Sequence, residues 1–134
     1  MPEREIYDPL RKKNVARTPE EEVRQQVISW LHESCGVSLM RMESEYGFVY
    51  NRRRYRADVL VFDRALQPLL LVECKAPDVP LGAAVVDQVT RYARVLPVRY
   101  ILVTNGPTTH ILRRRPEGDG FDYCSEIPEG WLNG

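Results

Sequence analysis

Ala57-Asp-Val-Leu-Val-Phe62 and Leu69-Leu-Leu-Val-Glu-Cys-Lys-Ala76 are the two stretches that decide how this chain is read. Each is a short apolar run bounded by turn residues, and each reads as a buried β-strand. Yet they carry Asp58, Glu73 and Lys75, and a buried strand rarely holds charge unless it is paired or binds an ion. Side chains alternate along a strand, so Glu73 and Lys75 share one face and Cys74 takes the other. Asp63-Arg-Ala-Leu-Gln-Pro68 between the runs suits a four-residue hairpin loop. Pairing Asp63 with Pro68 sets Phe62 opposite Leu69, Leu60 opposite Leu71 and Asp58 opposite Glu73. A slip of two residues sets Asp58 opposite Lys75 instead. In both registers the three charged side chains are expected to project from one face.

Two carboxylates held together repel unless a cation lies between them or one is protonated. A hard divalent ion with oxygen ligands fits: Mg²⁺ takes one or two carboxylates, waters and substrate phosphate, and Mn²⁺ can replace it. The carbonyl of Cys74 is a natural further ligand beside Asp58 and Glu73. Lys75 is then placed to orient or deprotonate an attacking water, or to offset charge growing on a phosphoryl transition state. Zinc fits less well, because neither the two histidines nor the three cysteines show metal-ligand spacing. The same residues also read as an ion cluster that only fixes strand register, and spacing alone leaves both readings open.

The 134 residues point to one domain with a modest single core. Acidic and basic residues balance at 19 each, so net charge says nothing about a polyanionic partner. Charge is uneven locally, in Arg11-Lys-Lys13, Arg52-Arg-Arg-Tyr-Arg56 and Arg113-Arg-Arg115. The last reads as solvated strand end. Arg52, Arg53, Arg54 and Arg56 lead directly into the strand bearing Asp58 and are the candidate nucleic-acid contacts. Cys35, Cys74 and Cys124 are odd in number and widely spaced, which favours a reduced, cytoplasmic setting. No apolar run is long enough to cross a bilayer, the start lacks a signal-like core, and no membrane role is expected.

Residues 1–17 are polar and read as an N-terminal arm. Thr18 is the N-cap of a first helix, with Pro19 in the first turn and Glu21 completing a capping box, and the helix is expected to reach about Glu33 and stop near Gly36. Val23, Val27, Trp30 and Leu31 form its apolar stripe. A strand is expected around Val37–Glu43, with Glu45–Tyr50 also extended, and then the central hairpin. A second helix over Gly82–Leu96 buries Val85, Val89, Tyr92 and Leu96. Tyr100–Thr104 and His110–Leu112 are strands joined at Asn105-Gly106. Residues 117–134 form an irregular tail. The order αβββαββ over residues 18–116 is an α/β fold with a mixed sheet flanked by helices. Glu20 falls on the inward stripe of the first helix, where it either joins the site or complements the helix dipole with its neighbours. Gln88 has the same status on the second helix, and a buried amide there needs partners.

In these pieces the chain resembles the PD-(D/E)xK nucleases, and more closely the N-terminal nuclease domain of type I restriction enzyme R subunits and its small stand-alone relatives. The similarity rests on Thr18-Pro-Glu-Glu-Glu-Val-Arg-Gln25, Arg56-Ala-Asp-Val-Leu-Val61, Leu71-Val-Glu-Cys-Lys-Ala-Pro77, Asp87-Gln-Val-Thr-Arg-Tyr92 and Val103-Thr-Asn-Gly106, in order along most of the chain. The resemblance implies a restriction-endonuclease-like core and Mg²⁺-dependent cleavage of DNA, with RNA a second substrate class. It makes Asp58 and Glu73 metal ligands, Lys75 the catalytic lysine and Glu20 the helix carboxylate. Gln88 and Tyr92 match the motif that follows the site in R subunits, which makes Gln88 a further site residue and Tyr92 a candidate nucleic-acid contact. Ala57 replaces the usual proline, which is no ligand. The chain has no Gly-x-x-x-x-Gly-Lys loop, whereas type I enzymes cut within a translocating assembly. A separate motor or specificity partner, or a homodimer, is therefore part of the expectation.

Overall fold

The start of the chain is polar because it packs through ion pairs. The computed structural model describes residues 4–134, so the first three residues of the expected arm lie outside it. Within that arm, β1 (Glu5–Asp8) and β2 (Lys13–Ala16) form an antiparallel hairpin. Asp8 is fully buried; its carboxylate accepts the Leu10 N–H at 2.9 Å and pairs with Arg11 across the turn. Thr18 then caps α1 (Pro19–Ser29), its hydroxyl accepting the Glu21 N–H at 3.0 Å. The reciprocal half of the capping box does not form, because the Glu21 side chain turns inward to Arg11 and Gln25. A wider π-type turn, Trp30–Ser34, extends the helix, and Gly36 at φ +71° ends it.

No strand forms over Val37–Arg41. Ser38 instead caps one 3₁₀ turn, Leu39–Arg41, and β3 (Met42–Tyr50) follows as a single strand interrupted by Glu45 in left-handed backbone. The sheet continues through β4 (Arg53–Phe62) and β5 (Pro68–Cys74), passes over α2 (Ala83–Tyr92), and ends with β6 (Tyr100–Thr104), β7 (Thr109–Arg114) and β8 (Phe121–Tyr123). Six strands lie in the order β3-β4-β5-β6-β7-β8. All pairs are antiparallel except β5–β6, which the α2 crossover makes parallel. The expected αβββαββ core is present in a mixed sheet, with β8 added from the supposed irregular tail. That tail also returns Trp131 and Leu132 to the core.

Leu60 does face Leu71, but a bulge after Val61 sets Phe62 against Pro68 rather than Leu69. Alternation sorts the core onto two faces. Val59, Val61, Leu70, Val72 and Leu102 pack with α1, while Leu60, Leu71, Ile101 and Val103 pack with α2. Along α2 and the turn after it Val89, Tyr92 and Leu96 are buried as expected, and Val86 joins them while Val85 is only half-buried. Arg114 is no loose solvated end. It donates to the carbonyls of Val98 and Ala93 at 2.8 and 3.0 Å and stacks over Phe121, so it clamps the loop after α2 to the sheet.

Candidate active site

Pairing between β4 and β5 stops at Val59–Val72, and the two strands part just where the charges begin. Beyond that point Lys75 donates its N–H to Thr104 of β6 at 2.9 Å. The parallel ladder therefore leaves the Cys74 peptide facing β4, since a strand residue points its N–H and C=O to the same side. Asp58 takes up that N–H: its Oδ2 accepts it at 2.7 Å. The Asp58 carboxylate thus lies in the opening between the strands, near the plane of the sheet, rather than standing clear on one face. Glu73 and Lys75 do share a face, and Cys74 is buried on the other among the α1-side residues.

Glu73, Lys75, Ala84, Val85, Gln88 and Tyr92 line a cleft of about 250 Å³ under α2. Gln88 sits on its wall. Tyr92 is only 8% exposed, and its ring packs against Phe48, Tyr50 and Tyr55. Contrary to the expectation of a nucleic-acid contact there, the ring has little face to offer one. Glu20 is exposed rather than on the buried stripe. Its carboxyl is nevertheless raised, by partial burial first and then by the charge of Asp58, with Lys75 and Arg24 acting against. It therefore lies at the mouth of the site.

The Glu73 carboxyl is pushed up to about 9, by burial, by the negative charge of Asp58 and by a hydrogen bond with the Asp58 side chain, with Lys75 opposing. A buried carboxylate pair in this state calls for positive charge between its members. Among the described residues no three His, Cys, Asp or Glu side chains gather closely enough to hold a metal ion. The oxygen donors fit Mg²⁺ all the same, because that ion is content with two carboxylates, a carbonyl such as that of Cys74, and waters. The Cys74 thiol is no candidate. Burial first, and then Asp58, push it well above its ordinary value, so it stays a neutral thiol.

Sequence reading passed over a second set of charges. Arg24 is buried on α1, 3.6 Å from Asp58 Oδ1 and 3.3 Å from Glu21 Oε2. Glu21, only 6% exposed, also holds Arg11 at 2.7 Å and Gln25 at 3.0 Å. Glu45 accepts from Arg11 at 2.6 Å and from Arg56 at 2.9 Å. Arg56, expected on the nucleic-acid face, is therefore tied to a carboxylate. Arg52, Arg53 and Arg54 are exposed at the β3–β4 turn and make no ion pair among the described residues. The signal available was periodic: Glu21, Arg24, Gln25 and Ile28 follow helical i, i+3, i+4, i+7 spacing. On the opposite sheet face a larger groove of about 440 Å³, lined by Val27, Trp30, Ile111 and Cys124 among others, lacks any such charge cluster.

A profile of the family described as type I restriction enzyme R protein N terminus matches residues 19–128. Comparison with curated proteins gives no match. Among solved structures, the chain is similar to one from Anabaena variabilis titled "a putative nuclease belonging to DUF820". Identity is 11%, the TM-score is 0.55, and the match covers 96% of this chain and 83% of that one. At that identity the likeness concerns the fold. No helix among the described residues is long and apolar enough to cross a membrane.

Proposed function

From the premise that this chain belongs to the type I restriction enzyme R protein N-terminus family, we propose that it hydrolyses DNA phosphodiester bonds with Mg²⁺ held by Asp58 and Glu73. One observation carries the reading: Glu73, Lys75 and Gln88 line one cleft, and Asp58, held by the Cys74 N–H, acts on the Glu73 carboxyl by charge and hydrogen bond. In this assignment the Cys74 carbonyl completes the protein's share of the ligand set. When bound, the ion supplies Lewis-acid stabilisation of the phosphoryl oxygens and lowers the cost of ionising water. Lys75 either orients the attacking water and, as a neutral amine, takes its proton, or, as an ammonium, offsets the charge building on the phosphate. Gln88 donates its amide to a phosphate oxygen or to that water. Glu20, at the mouth, holds water at the rim. Arg52, Arg53 and Arg54 track the strand's backbone as it leaves the cleft.

A translocating or specificity partner remains part of the proposal. The test is direct. Wild type and the Asp58→Ala, Glu73→Ala and Lys75→Ala variants are incubated with duplex, single-stranded and branched DNA and with RNA, with Mg²⁺, with Mn²⁺ and with chelator. Metal-dependent cleavage by wild type that each substitution reduces by at least about a hundredfold is expected, with native circular dichroism throughout. Activity that survives all three substitutions belongs to a contaminant and sinks the reading.

A non-catalytic binding module is favoured by one observation, that both Asp58 oxygens already face protein donors, Cys74 N–H and Arg24. Salt-sensitive DNA binding without cleavage in any metal would establish it.

A further inference from the structure

Arg24 is 7% exposed and lies among three carboxylates, Glu21 at 3.3 Å, Asp58 at 3.6 Å and Glu45 at 3.7 Å, of which Asp58 belongs to the site. Nη2 lies 3.6 Å from the Asp58 carboxylate. Nη1 donates to the Asp58 carbonyl at 3.4 Å and to Ser44 Oγ at 3.1 Å. Nε is buried without a hydrogen-bond partner among the described residues. A guanidinium in this position is a poor device for stability alone, because desolvating the ions often costs as much as their attraction returns. It is a good device for orientation, since its planar fork fixes the group it meets. The Cys74 N–H on Oδ2 and the Arg24 charge 3.6 Å from Oδ1 together favour one orientation of the Asp58 carboxylate. Arg24 is in turn held from outside the sheet. Glu21 touches both Arg24 and Arg11, and Arg11 reaches back to Asp8 in the N-terminal hairpin.

We propose that Arg24 is a positioning residue of the nuclease site: its buried guanidinium sets the orientation of the Asp58 carboxylate, and Arg11 of the N-terminal hairpin braces it through Glu21. The inference rests on the nuclease reading above. Arg24 touches neither substrate nor ion; it acts through Asp58. Its removal should therefore weaken metal capture and leave nucleic-acid binding nearly as it was, as loss of an outer-shell partner does.

The experiment uses the full chain as wild type, Arg24→Lys, Arg24→Met and Arg11→Met, each checked for native circular dichroism. Mn²⁺ is titrated by calorimetry without nucleic acid, and cleavage is then followed against Mn²⁺ concentration. Arg24→Met should bind Mn²⁺ about tenfold or more weakly and need correspondingly more metal for half-maximal cleavage, with substrate KM little changed. Arg24→Lys should recover part of the loss, and Arg11→Met should shift in the same direction by less. Wild-type Mn²⁺ affinity in a folded Arg24→Met that has only lost thermal stability overturns the proposal. If Arg24→Met does not fold, unchanged affinity in both Arg24→Lys and Arg11→Met overturns it equally. Wild type that binds Mn²⁺ but cuts nothing defeats the reading of the lone chain as a nuclease, and the affinities still decide the role of Arg24. Wild type without Mn²⁺ affinity defeats both.

Discussion

Glu73 is where function and stability pull against each other. Its carboxyl is pushed up to about 9 by burial and by Asp58, so the folded chain binds a proton there that the unfolded chain releases near its ordinary value. A raised carboxylate costs stability as pH climbs above that ordinary value, and the cost grows until about pH 9. Glu73→Gln removes the charge and should stabilise the fold at about pH 7–8 by on the order of 1–3 kcal/mol, with no gain near about pH 4, while abolishing cleavage. Denaturant melts at both pH values test this, and a variant less stable than wild type at the higher pH would show that the carboxylate contributes to the fold. By the same argument Mg²⁺ at millimolar concentration should raise the melting temperature of wild type but not of Glu73→Gln. An unchanged wild-type melting temperature speaks against an ion at this pair. The two-residue strand period was enough to put Glu73 and Lys75 on one face. Arg24 and Glu21 were not legible in that way, because acids in a first helical turn read as dipole partners until tertiary packing shows which of them points inward.

At the level of elements, the N-terminal hairpin depends on one buried acid. Burial works against the charge of Asp8, but hydrogen bonds from Arg11, from the Leu10 N–H and from Gln25, with the charge of Arg11, more than offset it and hold the carboxyl below its usual 3.8. A depressed carboxylate contributes stability above the unfolded value and loses it as pH falls through the folded one, so this contribution begins to fall below about pH 3.8 and is gone once pH is below the lowered folded value. Asp8→Asn should cost about 1–3 kcal/mol at about pH 7, and the gap between the two proteins should narrow as pH falls below about 3.8. A constant gap across that range would mean that shape, not charge, holds the hairpin. This element was invisible in the sequence for a physical reason. β1 and β2 dock by charge, and a pattern search for apolar period finds only strands that bury apolar side chains. The central strands β5 and β6 were legible because each is a nearly continuous buried run, and β4 only from Ala57 onward, since its first half is exposed. The bulge at Phe62 and the 3₁₀ turn at Leu39–Arg41 were not, since local hydrogen bonding decides both. β8 is three residues at a sheet edge, too short to carry a period.

For the molecule as a whole, a formal net charge of zero conceals an ordered asymmetry. The acids Asp58, Glu73 and Glu20 lie within reach of one another's charge at the site, while Arg52, Arg53 and Arg54, without an ion pair among the described residues, stand at the tip of the β3–β4 hairpin. A polyanion approaching the cleft meets repulsion at the centre, so its affinity must come from the rim. Arg11, Arg56 and Arg114 are engaged within the protein and contribute little to it. Replacing Arg52, Arg53 and Arg54 together by alanine should therefore weaken DNA binding about tenfold or more at about 0.1 M salt. It should also flatten the dependence of log affinity on log salt by up to about 3, roughly one unit for each phosphate that is no longer neutralised. Melting temperature should hardly move, because none of the three is buried. The binding isotherms are measured in Ca²⁺, with the Lys75→Ala chain as host so that cleavage does not intervene. Arg113→Ala with Arg115→Ala, on the far edge of the sheet, is the control expected to leave the slope as it was. An equal weakening in that control pair would mean that DNA is drawn by general surface charge, and that the β3–β4 tip does not guide the strand to Glu73 and Lys75.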